Sequence, residues 1–142
     1  LKAGEWFRRG LLLIVSPVQQ PFWLLSGRNS TYPAVQISRA SSFDGIWACA
    51  SLLHVPSSSF AVVASRIVEA MRPGGAWFMS FKLGEGERVA RGRLFVDHNE
   101  RTLRSALTGL PVQVVDVWET EDARPNRAGE RWLNGVASKE NR

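Results

Sequence analysis

Between residues 43 and 81 two short, almost wholly apolar runs flank one amphipathic stretch, and this arrangement restricts the fold more than any other feature of the chain. The first run, GIWACA at 45–50, has the near-continuous hydrophobicity of a strand covered on both faces, as in a parallel sheet. Pro56 and the three serines after it form the expected turn, with Ser59 as the expected N-cap. Phe60, Val63, Ala64, Ile67, Val68 and Met71 then recur at three- and four-residue intervals. That spacing puts them on one side of a helix that is expected to end at Arg72, before Pro73. The run RPGG at 72–75 is a strong stop, because proline cannot continue a helix and the glycines allow a tight reversal. AWFMSF at 76–81 reads as the second buried strand.

Downstream, residues 82–93 (KLGEGERVARGR) are polar, carry three glycines and show no hydrophobic period, so a long loop is expected. Asp97 and Glu100 have capping-box spacing, and Leu103 and Leu107 mark one side of a short helix closed by Gly109. Residues 112–119 (VQVVDVWE) alternate with period two, as a strand with one wetter face does. A charged turn at 120–129 and a last strand at 131–138 (RWLNGVAS) complete an edge hairpin. The order β-α-β-α-β-β is α/β with antiparallel strands at one edge.

At 142 residues and 44% apolar content the chain suffices for one domain with a real core. The longest uninterrupted apolar stretch, 11–15, is far short of the roughly 20 residues that cross a bilayer, so a protein without a membrane span is expected. The single cysteine, Cys49, excludes an internal disulfide, and with His54 and His98 as the only histidines there is no metal-ligand spacing. No metal is expected, and the cytoplasm is the default compartment. The net charge of +5 invites a nucleic-acid reading, but its distribution argues otherwise. Residues 1–42 hold five basic residues and one acid, a balance of +4, whereas 43–142 hold thirteen basic and twelve acidic, a balance of +1. No basic run interleaved with aromatics marks a base-stacking groove, so a nucleic-acid or membrane-surface binder acting through 1–39 ranks last.

Residues 1–42 parse poorly. Residues 10–16 (GLLLIVS) fit a buried strand and 34–38 (AVQIS) a second, but PVQQPFWLLSGRNSTYP between them has three prolines and no helical period. Poor in acids and rich in Ser and Arg, this part fits a targeting peptide, a flexible arm or DNA read in the wrong frame, and composition does not separate the three.

With these elements in place, residues 43–139 resemble the C-terminal half of a class I S-adenosylmethionine-dependent methyltransferase of the small-molecule, tellurite-resistance-like kind. The pieces that carry the resemblance are FDGIWACASLLHVP, RPGGAWFMSFKLGEGER, GRLFVDHNERTL and VWETEDARPNRAGERWLN, in that order. The resemblance implies a partial Rossmann-like sheet, strands four to seven with the antiparallel C-terminal hairpin, and S-adenosylmethionine as cofactor. It implies that the carbonyls of Ala48, Cys49 and Ala50 receive the ammonium of the cofactor's methionine part, and that Leu52, Leu53 and His54 wall the methyl-transfer pocket. His54 would position or deprotonate the substrate, since an imidazole titrates near neutrality; alternatively it only caps the strand end through a backbone hydrogen bond. Arg93 and Phe95 would contact a small-molecule substrate from the loop at 82–93; the alternative, and the commoner case for a charged loop, is an ordinary solvated one. Cys49 reads as packing before chemistry. Arg124, Arg127 and Arg131 with Glu119, Glu121, Asp122 and Glu130 read as an ion-pair network bracing the hairpin, and Trp47, Trp77, Trp118 and Trp132 as packing.

The first half of that family's fold is missing or degenerate here. No Asp-x-Gly-x-Gly loop follows residues 10–16, the lone Gly27 does not restore one, and no Asp or Glu lies between Trp6 and Phe43. Without strands one to three, the strand at 46–50 would be a bare hydrophobic edge unless 10–16 pairs with it as a makeshift neighbour or a second copy covers it as a homo-oligomer. Two functional classes follow: a methyltransferase acting on an unknown small molecule, or a non-catalytic truncated or frame-shifted remnant, including a subunit that needs a partner.

Overall fold

The computed structural model of the chain describes residues 40–141, and residues 12–14 by their backbone. The strands are β1 (Leu12–Ile14), β2 (Phe43–Ala48), β3 (Met71–Lys82), β4 (Gly86–Ala90), β5 (Arg93–Asp97), β6 (Val112–Glu121) and β7 (Arg131–Lys139). The helices are α1 (Ser57–Ala70) and α2 (Glu100–Ala106), with single 3-10 turns at Leu52–His54 and Pro125–Arg127. β1, β2, β3, β7 and β6 form one mixed sheet in that order, and β4 with β5 forms a separate two-stranded one. β1 to β3 run parallel, while β7 is antiparallel to both β3 and β6. The result is an α/β fold in which the site-bearing strand β2 is flanked on both sides.

One face of the sheet carries the core. Phe60, Val63, Ala64, Ile67 and Val68 of α1 are buried with Ile46, Ala48, Trp77, Met79, Phe81 and Ala137. Leu103 of α2 is fully buried and lies so close to β7 that a Cβ on Gly135 would meet its Cδ2 at 3.1 Å. On the opposite face Trp47 stacks on Phe78 at 3.9 Å between centroids, and Phe78 meets Trp118, which is 38% exposed. Lateral aromatic contacts thus tie β2, β3 and β6 together on the side that α1 does not cover.

Several boundaries differ from the sequence expectation for identifiable reasons. The first strand begins at Phe43 and stops at Ala48, because Ala50 takes a left-handed φ of 50°. Helix α1 ends at Ala70, and RPGG is absorbed into β3 instead of ending a helix. While β2 advances from Phe43 to Gly45, β3 advances from Met71 to Ala76, so the prolyl-glycyl run forms a wide irregularity in the ladder. Gly75 is obligatory there, since a Cβ would approach Arg72 O to 2.8 Å and Asp44 O to 3.2 Å. Ser59 is not the cap of α1; Pro56 holds that position without a side-chain bond, and Glu87 of β4 accepts from the Ser57 N–H at 2.7 Å. An acid from a distant element does the capping, which suits the positive end of a helix. The cap of α2 is Asn99, which accepts from Thr102 N at 2.9 Å while Thr102 Oγ1 accepts from Asn99 N, so Asp97 and Glu100 are not the capping pair.

The largest correction concerns 82–93. This stretch is not a loop: it is the end of β3 and the first strand of the β4–β5 hairpin. Arg91 and Gly92, at φ 52° and 73°, make the two-residue reversal. In β6 a bulge between Val114 and Asp116 leaves Val115 60% exposed and turns Val117 back toward the core. Leu12–Ile14 pairs with Gly45, Ile46 and Trp47, so β2 is not a bare edge at these positions. The expected strand at 34–38 and the turn at Gly27 lie outside the described residues.

Candidate active site

The site grows from the carboxyl end of β2, where an apolar strand buried between two neighbours has to leave the sheet. Ala48 is fully buried; Cys49 is exposed; Ala50 turns the chain with its left-handed backbone. A non-glycine residue held at positive φ costs of order 1 kcal/mol or more and persists only where surroundings enforce it. The enforcing group is Ser80 of β3: the Ala50 N–H donates to Ser80 Oγ at 2.8 Å, and the Ser80 hydroxyl donates to Cys49 Sγ at 3.6 Å. Outside the strand ladders, no hydrogen bond within the described residues takes up the carbonyls of Cys49 or Ala50. Next to them Ser51 Oγ is buried without a partner.

The turn continues into the 3-10 segment. Leu52 and Leu53, each 1% exposed, point into the core, so their side chains do not wall an open pocket as the sequence suggested. His54 is half-buried, and its Nδ1 lies 2.7 Å from Leu94 O of β5. A carbonyl only accepts, so Nδ1 carries the proton and in the neutral ring Nε2 keeps a free lone pair. The Phe95 ring meets the His54 ring edge-on at 4.9 Å, and the Arg88 guanidinium lies over the Phe95 ring at 4.7 Å. Arg88 is also paired with Asp97.

The structure therefore brings His54 and Phe95 together and leaves Arg93 exposed on the same hairpin, toward its tip. It sets Ala48 at the end of β2 and Cys49 and Ala50 in the turn that follows. Sequence reasoning missed Ser80, Glu87, Arg88 and the Leu94 carbonyl, which hold this arrangement. The overlooked signal was a short arginyl-glycine reversal flanked by alternating residues, the mark of a hairpin.

A second polar cluster lies at the last residue of β3. Lys82, 8% exposed, donates to Asp122 Oδ2 at 3.1 Å and to Glu130, and its ammonium lies 3.8 Å from the Trp132 ring centroid. Asp122 also receives Arg124 and the Trp132 indole N–H. The Arg124 guanidinium, foremost, holds the Asp122 carboxyl well below the usual carboxylate range, and Lys82 lowers Glu130. With Arg127–Glu130 and Arg131–Glu119, this is an ion-pair network on the β6–β7 hairpin. His98 is buried beside Phe81, with Nδ1 at 3.1 Å from Thr102 Oγ1, and burial pushes its pKa down. Among the described residues no group of three or more His, Cys, Asp or Glu side chains is placed to hold a metal ion.

Comparison with known proteins bears on the fold. No protein-family profile and no curated protein matches the sequence. Solved structures do match. A methyltransferase from Methanosarcina mazei, described as S-adenosylmethionine-dependent, superposes with TM-score 0.67 at 17% identity over 77% of this chain and 65% of its own. The 1,6-didemethyltoxoflavin-N1-methyltransferase of Burkholderia thailandensis, solved with 1,6-didemethyltoxoflavin and S-adenosylhomocysteine, gives 0.68 at 21% identity over 91% of this chain and 60% of its own. Over these residues the chain has a class I S-adenosylmethionine-dependent methyltransferase-like fold. It spans about 60–65% of the length of those two enzymes. The methyltransferase-like fold does not by itself fix the reaction, since the [4+2]-cyclase SpnF also matches, at TM-score 0.55 and 16% identity. Among the described residues no helix is long and apolar enough to cross a membrane.

Proposed function

We propose that this chain is the carboxyl-terminal part of an S-adenosylmethionine-dependent methyltransferase that modifies a small molecule in the cytoplasm. In this reading β2, β3, β6 and β7 are strands four, five, six and seven of the family sheet, and β1 stands in the place of strand one. Ligands of open α/β sheets lie outside the carboxyl ends of the strands, which is where β2 ends in the Ala50 turn. The turn fits the amino-acid end of the cofactor: the carbonyls of Cys49 and Ala50 are acceptors for an ammonium, and the unpartnered Ser51 hydroxyl is a further polar group in reach of the same turn. Leu53 would contribute through its backbone alone, its side chain being part of the core.

When bound, S-adenosylmethionine supplies a methyl group activated on a sulfonium. The chain's own contribution is positioning and proton removal, with Phe95 and Arg93 flanking the acceptor and His54 Nε2 taking its proton. The observation that carries this reading is the His54–Leu94 bond, which fixes the tautomer that leaves Nε2 with a free lone pair, four residues after Ala50. Calorimetric titration of the chain with S-adenosylhomocysteine tests it. Saturable heat that disappears when Ala50 is replaced by valine is the expected result, and the absence of any saturable heat overturns it.

A second reading, a non-catalytic remnant or a subunit completed by a partner, is favoured by one specific observation. The sequence has no Asp-x-Gly-x-Gly loop and no acid between Trp6 and Phe43 to hold the ribose hydroxyls. On that reading the chain alone binds no cofactor. The three-residue strand β1 is then the edge at which a partner or a second copy of the chain adds further strands.

A further inference from the structure

Arginine usage in this molecule is uneven in a way that the ion-pair geometry exposes. Arg72, Arg88, Arg101, Arg104, Arg124 and Arg127 are each joined to a carboxylate. Arg131 is paired with Glu119, and Arg66 also has an interaction partner. Arg91 and Arg93 alone among the described arginines have no side-chain partner. The sequence offers little that could neutralise them from elsewhere, because no Asp or Glu occurs between Trp6 and Phe43.

The register of the β4–β5 hairpin shows where Arg93 projects. Arg88 pairs with Phe95, and Ala90 with Arg93, so Arg88, Arg93, Phe95 and Asp97 share one face of the hairpin. Phe95 on that face meets the His54 ring. Arg93 is therefore two residues, about 7 Å, from Phe95 along the strand and on the same side. The inner cation on this face, Arg88, is already neutralised by Asp97. The outer one is not. The hairpin cannot swing freely away, since Glu87 is bound to the first turn of α1 and the Leu94 carbonyl to His54.

We infer that the substrate of this site is a small planar carboxylate or comparable organic anion, whose charged group is received by Arg93, with Arg91 beside it, while its ring rests against Phe95 and His54. The inference rests on the placement of the acceptor at His54 and Phe95 proposed above. An arginine fork binds a carboxylate with two parallel N–H bonds, which fixes orientation as well as adding affinity. Seating the anionic end at Arg93 leaves the ring of such a molecule beside Phe95, the residue that meets His54.

The test uses the isotope-labelled chain, with 4-hydroxybenzoate as probe and 4-hydroxybenzyl alcohol as its neutral counterpart, read by NMR shifts of the arginine side-chain N–H and His54 ring signals. The expected result is saturable movement of the Arg93 and His54 signals with the carboxylate and about tenfold weaker binding of the alcohol, the loss typical of one charge-assisted contact. Arg93→Ala should lose a similar factor, Arg93→Lys should recover part of it, and Arg104→Ala, on the exposed side of α2, should change nothing. Equal affinity for the two probes, undiminished binding by Arg93→Ala, or no movement of the Arg93 signals overturns the inference. Titration of the same samples with S-adenosylhomocysteine separates the two proposals. Carboxylate binding without cofactor binding refutes the methyltransferase reading and leaves the anion site standing; cofactor binding without carboxylate binding refutes the anion site alone.

Discussion

The molecule has two antiparallel hairpins, and they treat charge in opposite ways. The β6–β7 hairpin continues the main sheet, and Lys82, Arg124, Arg127 and Arg131 around it each face an acid. The β4–β5 hairpin forms its own small sheet over the 3-10 turn and keeps two arginines at its tip without partners among the described residues. Both are anchored by polar contacts at their bases, so the difference is not one of attachment. Charge that cancels locally serves the fold; charge left open beside an aromatic and an imidazole serves something that arrives from outside. On this contrast, damage to the first hairpin should appear as lost stability and damage to the second as lost binding.

The largest effect should come from beneath the β6–β7 hairpin. Leu103→Ala opens a cavity under Gly135 and Met79, and chemical denaturation should show a loss of about 2–5 kcal/mol. Lys82→Ala should come next, because it removes a buried cation shared by Asp122, whose side chain is only 4% exposed, and Glu130, leaving these acids to Arg124 and Arg127. A smaller fall in melting temperature than for Leu103→Ala is expected, with unchanged probe binding at Arg93. A Lys82→Ala variant that loses carboxylate binding while keeping its melting temperature would break the division between the hairpins.

Acid should act third, through His98 at the base of both. Burial lowers the folded-state pKa of His98, opposed in part by Asp97, so the unfolded chain binds the proton more readily. The associated stability is fully present above the ordinary value near 6.5 and is lost as pH falls through the depressed folded value. Denaturation midpoints should therefore decline as pH falls below about 6.5, and His98→Gln should flatten that decline. The carboxylates Asp122 and Glu130, also depressed, give up their contribution only at lower pH, below their ordinary values of 3.8 and 4.5. The smallest stability effect belongs to Arg93→Ala, within about 0.5 kcal/mol of wild type, as for an unpaired surface side chain.

What the sequence disclosed followed from burial. Phe60, Val63, Ala64, Ile67 and Val68 announce α1 because one helix face must be apolar, and the edge hairpin is legible because β6 and β7 alternate with a charged turn between them. Glu87, Arg88 and Arg93 concealed the β4–β5 hairpin, because a two-stranded element stabilised by an N-cap bond, an ion pair and one imidazole contact needs no hydrophobic period. Local spacing also misplaced the helix caps, since the partner of the α1 terminus is 30 residues distant in sequence. At the site, residue type pointed to His54 and Phe95, but their mutual contact and the free state of Arg93 depend on hairpin register, which composition does not encode.

The prolyl-glycyl irregularity in β3 has a consequence for how faithfully this site can be assembled. Five residues of one strand set against two of its neighbour act like a pawl in a ratchet: a slide of β3 by one step, bringing Ala76 forward, would put a residue with a Cβ where Gly75 now passes the Asp44 carbonyl. The mispaired alternatives that trouble flat strands are thereby removed at the far end of the ladder, and Ser80 arrives opposite the Ala50 amide without any selection among offsets.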